Sequence, residues 1–215
     1  TPSTSADNAV AGLMSPKRIT TPEPPGLPPS DTDSPYTTEK VQAEMLIKTH
    51  VTAFAGGVEK VYWWGLFDTV TTGNFWVDVF GRNGLYDYPD GERKLAEFSM
   101  RLMSEKLDRA DWTITETFDD VERIRAYQFR GTDAAQAIWV VWPEMDANID
   151  TPKPFVLEVG AGIDQVVTTV GVPAKARGTE VEDFETAFPA VRLPVEGGAV
   201  TLEVGTTPLY VEASD

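Results

Sequence analysis

The chain has 215 residues, 41% hydrophobic and 10% aromatic, enough apolar side chain for one domain or two small ones. Its formal net charge of −16 repels phosphate backbones and anionic headgroups, so nucleic acid is not an expected partner. The absence of cysteine excludes disulfides, thiol nucleophiles and thiolate metal sites, and the one histidine, His50, cannot build a histidine-rich metal centre.

No apolar run approaches the length of a membrane span, and neither a metal nor a cofactor is expected. The opening Thr1-Pro2-Ser3 carries neither an initiator Met nor a charged-then-apolar leader, and reads as the remainder of something longer. Residues 1–35 hold half of the 16 prolines, clustered at Pro22, Pro24, Pro25, Pro28 and Pro29, and read as a Pro-rich loop or linker.

From about Thr37 the pattern changes. Ala43, Ile47, Val51 and Phe54 recur at spacings of four, four and three, which predicts one stripe of an α-helix. Ser34 before Pro35 is a start signal and Gly56-Gly57 a stop. There follows Val58-Glu59-Lys60-Val61-Tyr62-Trp63-Trp64-Gly65-Leu66-Phe67-Asp68, whose middle is almost continuously apolar. Such a run predicts a strand buried on both faces, as in a parallel sheet covered by helices. Residues 69–90 read as a long loop containing Phe75, Trp76 and Phe80. Asp90 is then expected to cap a second helix, with Leu95, Phe98 and Leu102 on one stripe, running to about Asp108.

Beyond residue 110 the punctuation is all-β. Strands are predicted at 112–117, 124–130, 135–142, 154–159, 165–170, 190–193, 199–204 and 209–212, most of them separated by turn residues such as Gly160-Ala161-Gly162 and Gly197-Gly198. Their number and spacing predict an antiparallel β-sandwich over 111–215.

The segment Val61-Tyr62-Trp63-Trp64-Gly65-Leu66-Phe67-Asp68 resembles the eighth barrel strand of clan A glycoside hydrolases, many of which carry a tryptophan with an aspartate four residues on, as Trp64 and Asp68 stand here. Gly84-Leu85-Tyr86-Asp87 before the helix from Glu92 resembles their entry into helix eight. Val204-Gly205-Thr206-Thr207-Pro208-Leu209-Tyr210-Val211-Glu212 resembles the last strand of their C-terminal β-sandwich. The resemblance implies an α/β plus all-β protein: residues 36–110 as the last helix–strand–helix of a TIM barrel, then the sandwich. These enzymes place an acid/base Glu after strand four and a nucleophile Glu at the end of strand seven. No Glu here matches either position, and Glu39 or Glu44 would lie on helix seven.

What the resemblance implies for function is the C-terminal part of a glycoside hydrolase acting on O-glycosidic bonds. The chain would contribute sugar-stacking residues but no catalytic carboxylates, and alone it would be inactive. Its partners would be the carbohydrate substrate and the remaining barrel strands, in cis or from another polypeptide. Trp64, with Asp68, Phe75 and Trp76 near it, would line the sugar pocket. A flat rigid ring buries the apolar C–H face of a sugar with little entropy loss, although Trp63 and Trp64 equally suit plain packing. In the sandwich Trp112, Trp139 and Trp142 could form a carbohydrate platform, with core packing the stronger reading for Trp139. The alternative class is a non-catalytic carbohydrate-binding or adhesion sandwich.

Overall fold

The computed structural model describes residues 38–63, 65–68, 83–108, 111–132, 137–144 and 151–214. All of them fall within one unit, Thr32–Asp215. Residues 1–35, Trp64, Phe75, Trp76 and Phe80 lie outside the described residues.

Helix α1 spans Glu39–Ala55. The Thr38 hydroxyl accepts the Val41 N–H at 3.2 Å and supplies the cap sought at Ser34, which is itself outside the described residues. The predicted stripe holds: Ala43, Ile47 and Val51 are fully buried, and Gly57 takes a φ of 83° just past the C-cap at Gly56. Helix α2 spans Leu95–Leu107, starting later than Asp90 predicts. Its N-cap, Lys94, makes no capping bond through its side chain. The Leu95 N–H donates instead to the Glu39 carboxylate at 2.9 Å, so the start of α1 caps the start of α2. The same Glu39 oxygen accepts the N–H of Gly178 at 2.8 Å, the first residue of the 3₁₀ turn Gly178–Glu180.

Eight strands follow among the described residues: β1 Thr113–Asp119, β2 Ile124–Arg130, β3 Ala137–Pro143, β4 Lys153–Glu158, β5 Gln165–Val170, β6 Ala190–Pro194, β7 Ala199–Val204 and β8 Leu209–Ser214. A four-residue helix, α3 (Phe184–Ala187), precedes β6. Six strands form one antiparallel sheet in the order β1-β2-β3-β8-β5-β6, and β4 pairs with β7 in a second.

Strand periodicity decides which residue meets which layer. On β2 and β3, Tyr127, Phe129, Val140 and Trp142 join a core with Leu46, Ile47, Val51, Phe98 and Leu102 of the helices. Their neighbours Ala126, Trp139 and Val141 face the other way, into a core with Phe155 and Leu157 of β4 and Val200 and Leu202 of β7. The fold is therefore three layers: helices, six-stranded sheet, two-stranded sheet. β3, with Trp139-Val140-Val141-Trp142 in the middle layer, is the most continuously buried strand, on both faces.

The TIM-barrel reading of 36–110 is overturned. Among the described residues of 61–67 none lies in a strand: Tyr62 is 85% exposed, Leu66 55% and Phe67 54%. Its β pairing among the described residues is an isolated parallel bridge, Phe67 to Tyr86. A run of apolar residues becomes a doubly buried strand only where strands flank it and layers cover both faces. Here the helices that were to flank it pack on the antiparallel sheet instead, with α1 and α2 against each other.

Glu39 joins α1, α2 and the 3₁₀ turn through two charge-assisted hydrogen bonds, so its loss has a calculable consequence. Glu39→Ala is expected to lower unfolding free energy by about 2–3 kcal/mol, the scale for two part-buried donors left unpaired. Urea denaturation measures it. A change within the noise would mean that water replaces the carboxylate without loss.

Candidate functional site

The segment ending at Asp68, exposed at Tyr62, Leu66 and Phe67, is held against the start of α2 by a small number of bonds. Leu85 and Tyr86 N–H both donate to Leu66 O, at 2.9 and 3.0 Å, and Asp68 N–H donates to Tyr86 O at 2.9 Å. A tight turn with Gly91 brings the backbone round, where Lys94 N–H donates to Leu85 O at 3.0 Å.

Asp68 is the centre of this arrangement. Its Oδ1 accepts the Gly84 N–H at 2.7 Å, and Lys94 Nζ donates to Oδ1 at 3.1 Å and Oδ2 at 3.0 Å. Both charged residues are buried. Burial pushes the Asp68 carboxyl above its ordinary value, while the Lys94 ammonium and the Gly84 amide pull the other way. Gly84 is dictated by this packing, because a Cβ there would lie 2.3 Å from Asp68 N and 2.4 Å from Phe67 C. Two further anchors join the clasp to α1 and the helix core: Gln42 Nε2 donates to Gly84 O at 2.8 Å, and Trp63 Nε1 to Asn83 O at 2.6 Å.

Trp63 is half-buried and stacks on His50, ring centroids 6.0 Å apart at 28°. His50 is 2% exposed and packs within α1, its Nδ1 2.7 Å from Leu46 O. Because that carbonyl only accepts, Nδ1 carries the proton. Outward from the clasp stand Tyr62, Leu66, Phe67 and Tyr88, all exposed, with the Phe67 and Tyr86 rings 5.4 Å apart. The result is an open aromatic and aliphatic surface.

Among the sequence candidates, the structure gives Asp68 a place at this surface as its buried anchor. Trp64, Phe75 and Trp76 lie outside the described residues. The sandwich tryptophans form no platform. Trp139 (3% exposed) and Trp142 (4%) lie in opposite cores, and Trp112 is half-buried, its Nε1 donating to Leu107 O at 3.0 Å. Lys94 and Gly84 escape sequence reasoning, since nothing local links them to Asp68, 26 and 16 residues away. Tyr62 and Phe67 belong to the run that predicts strand core, and only their exposure makes them surface residues.

Two shallow cavities lie elsewhere. One, of about 310 Å³, is lined by Glu92, Arg93, Phe98, Thr179, Glu182 and Phe184. The other, of about 390 Å³, is lined by Lys40, Val172, Lys175, Glu180 and Thr207. In the first, the Phe184 ring is already covered by the Arg101 guanidinium, 3.8 Å from its centroid. Among the described residues no cluster of three or more His, Asp or Glu could hold a metal ion, and no helix is long and apolar enough to cross a membrane.

Fold and surface together define a helix-backed antiparallel β-sandwich that carries an exposed aromatic segment on a buried ionic clasp. Comparison with protein-family models, with curated proteins and with solved structures found no match.

Proposed function

We propose that this protein is a non-catalytic, sugar-contacting part of a glycoside hydrolase, active on O-glycosidic bonds only together with polypeptide that supplies the catalytic carboxylates, in cis or from a second molecule. The observation that carries this reading is the exposure of Tyr62 and Phe67 on a segment whose base is fixed by Asp68 and Lys94. Exposed rings on an anchored backbone suit the apolar face of a sugar, because little conformational freedom remains to be lost on contact. Trp64, Phe75 and Trp76 belong to the same reading through their proximity in sequence.

The chemistry of Asp68 supports a non-catalytic role. Glycoside cleavage ordinarily uses two carboxyl groups, about 5–5.5 Å apart for retention and wider for inversion. Asp68 already has Lys94 on both oxygens and the Gly84 amide on one, so it is poorly placed to serve a substrate as acid or nucleophile.

The test is affinity electrophoresis of the purified protein through a panel of soluble β- and α-glucans, mannans and xylans. At least one glycan should retard it, and Tyr62→Ala with Phe67→Ala should abolish the retardation. Because both residues are exposed, each substitution should change stability by no more than about 0.5 kcal/mol. Retardation by none of the glycans, or retardation indifferent to both substitutions, would remove the support for this reading. So would aryl-glycoside turnover by the protein alone that is lost on mutating one of its own acids.

A further inference from the structure

We propose that the Asn83–Gly84 peptide is a site of spontaneous deamidation held in check by the Asp68 clasp, so that opening of the clasp is recorded irreversibly in the backbone. The chemistry needs only water. The Gly84 amide nitrogen, having lost its proton, attacks Cγ of Asn83. A new bond forms between that nitrogen and Cγ, the Cγ–Nδ2 bond of Asn83 breaks, and ammonia leaves a five-membered succinimide. Water then opens either carbonyl, giving aspartate or isoaspartate at position 83. Glycine after asparagine makes ring closure easiest, since it has no Cβ to crowd the attacking nitrogen. Packing requires glycine here for an unrelated reason, the 2.3 Å that would separate a Cβ from Asp68 N. The clasp therefore brings its own chemical liability.

The folded structure opposes each part of the reaction. Gly84 N–H is engaged by Asp68 Oδ1 at 2.7 Å, and a carboxylate so close raises the cost of forming an amide anion. The two carbonyls that flank the reacting nitrogen are also fixed, Asn83 O by Trp63 Nε1 at 2.6 Å and Gly84 O by Gln42 Nε2 at 2.8 Å. Rotating the peptide toward Cγ breaks these bonds, so reaction proceeds through locally opened molecules. After reaction the clasp cannot re-form as before. Isoaspartate lengthens the backbone by one carbon, and either product introduces a carboxylate beside the buried Asp68. Segment 58–68 then loses its tie to the start of α2, and the exposed aromatic surface loses its fixed base.

The experiment follows Asn83 in the intact 215-residue protein by peptide mass spectrometry at mildly alkaline pH, with isoaspartate detected by enzymatic methylation. Folded protein is compared with protein in urea. Conversion at Asn83 should be at least about tenfold slower in the folded protein than in urea, the ratio following the population of the opened form. Asp68→Ala should erase most of that protection while the rate in urea stays unchanged. Should Asp68→Ala fail to fold, Trp63→Phe, which removes the indole N–H from the Asn83 carbonyl together with part of the ring stacked on His50, should raise the folded-state rate. Equal rates in folded and unfolded protein, or unchanged protection in the folded variants, would overturn the proposal.

Discussion

Trp142→Ala is expected to lower the unfolding free energy by about 3–5 kcal/mol, the range for truncating a large buried aromatic residue. Trp142 is 4% exposed and lies on the helix side of β3, its ring stacked on Tyr127 with centroids 4.8 Å apart at 22°. Removing it opens a cavity between the six-stranded sheet and the helix layer. The core it belongs to is shared with fully buried Leu46 and Ile47 on α1, so filling the space requires moving a helix. The loss is a large share of the roughly 5–15 kcal/mol that holds a typical domain folded. Urea denaturation measures it, with Trp142→Phe as the volume control that should cost much less. The opposite outcome, unchanged stability with weakened glycan retardation, would return Trp142 to the platform role that its residue type suggests.

Gly84→Ala should cost about 3 kcal/mol, the upper end for forcing atoms into a closed site. The new methyl would meet Asp68 N at 2.3 Å, Phe67 C at 2.4 Å and Asp68 Oδ1 at 2.7 Å, two backbone atoms and a carboxylate already bound to Lys94. None of the three can yield alone. Moving residues 67–68 breaks the Asp68–Tyr86 and Leu85–Leu66 backbone bonds, and moving the carboxylate takes from the buried Lys94 ammonium the charge that compensates it. Gly91→Ala is the informative control. Its Cβ would meet nothing within 4 Å, so only its φ of +69° is strained and the cost should be about 1 kcal/mol. Hydrogen exchange localises the effect: the Asp68, Leu85 and Tyr86 amides should lose protection in Gly84→Ala first. Equal costs for the two substitutions would show that the clasp closes less tightly than these distances require.

The β half is legible in the residues because alternation and turn chemistry are local. The Gly197–Gly198 turn, both residues at positive φ, joins β6 to β7 where glycine pairs predict a reversal. The stripe of Ala43, Ile47 and Val51 likewise marks the buried face of α1 without knowledge of what covers it. The failure is equally specific. Residues 61–67 and Trp139–Trp142 present nearly the same apolar run, yet most of the described residues of the first lie exposed near the start of α2 and the second forms the middle layer. An apolar pattern records a preference for burial, and the burial itself requires partners on both sides.

By itself, then, the sequence determined the existence of two long helices, the eight strands and most of their bounds, and the absence of any cysteine chemistry. Each of these depends on residues within a turn or two of one another. Tertiary structure alone decided that α1 and α2 back the large sheet, that Asp68 is buried against Lys94, and that Glu39 caps a helix 56 residues away. These are contacts between distant segments. They form because helix stripes, sheet faces and buried charges find their lowest free energy against one another, which no local pattern encodes.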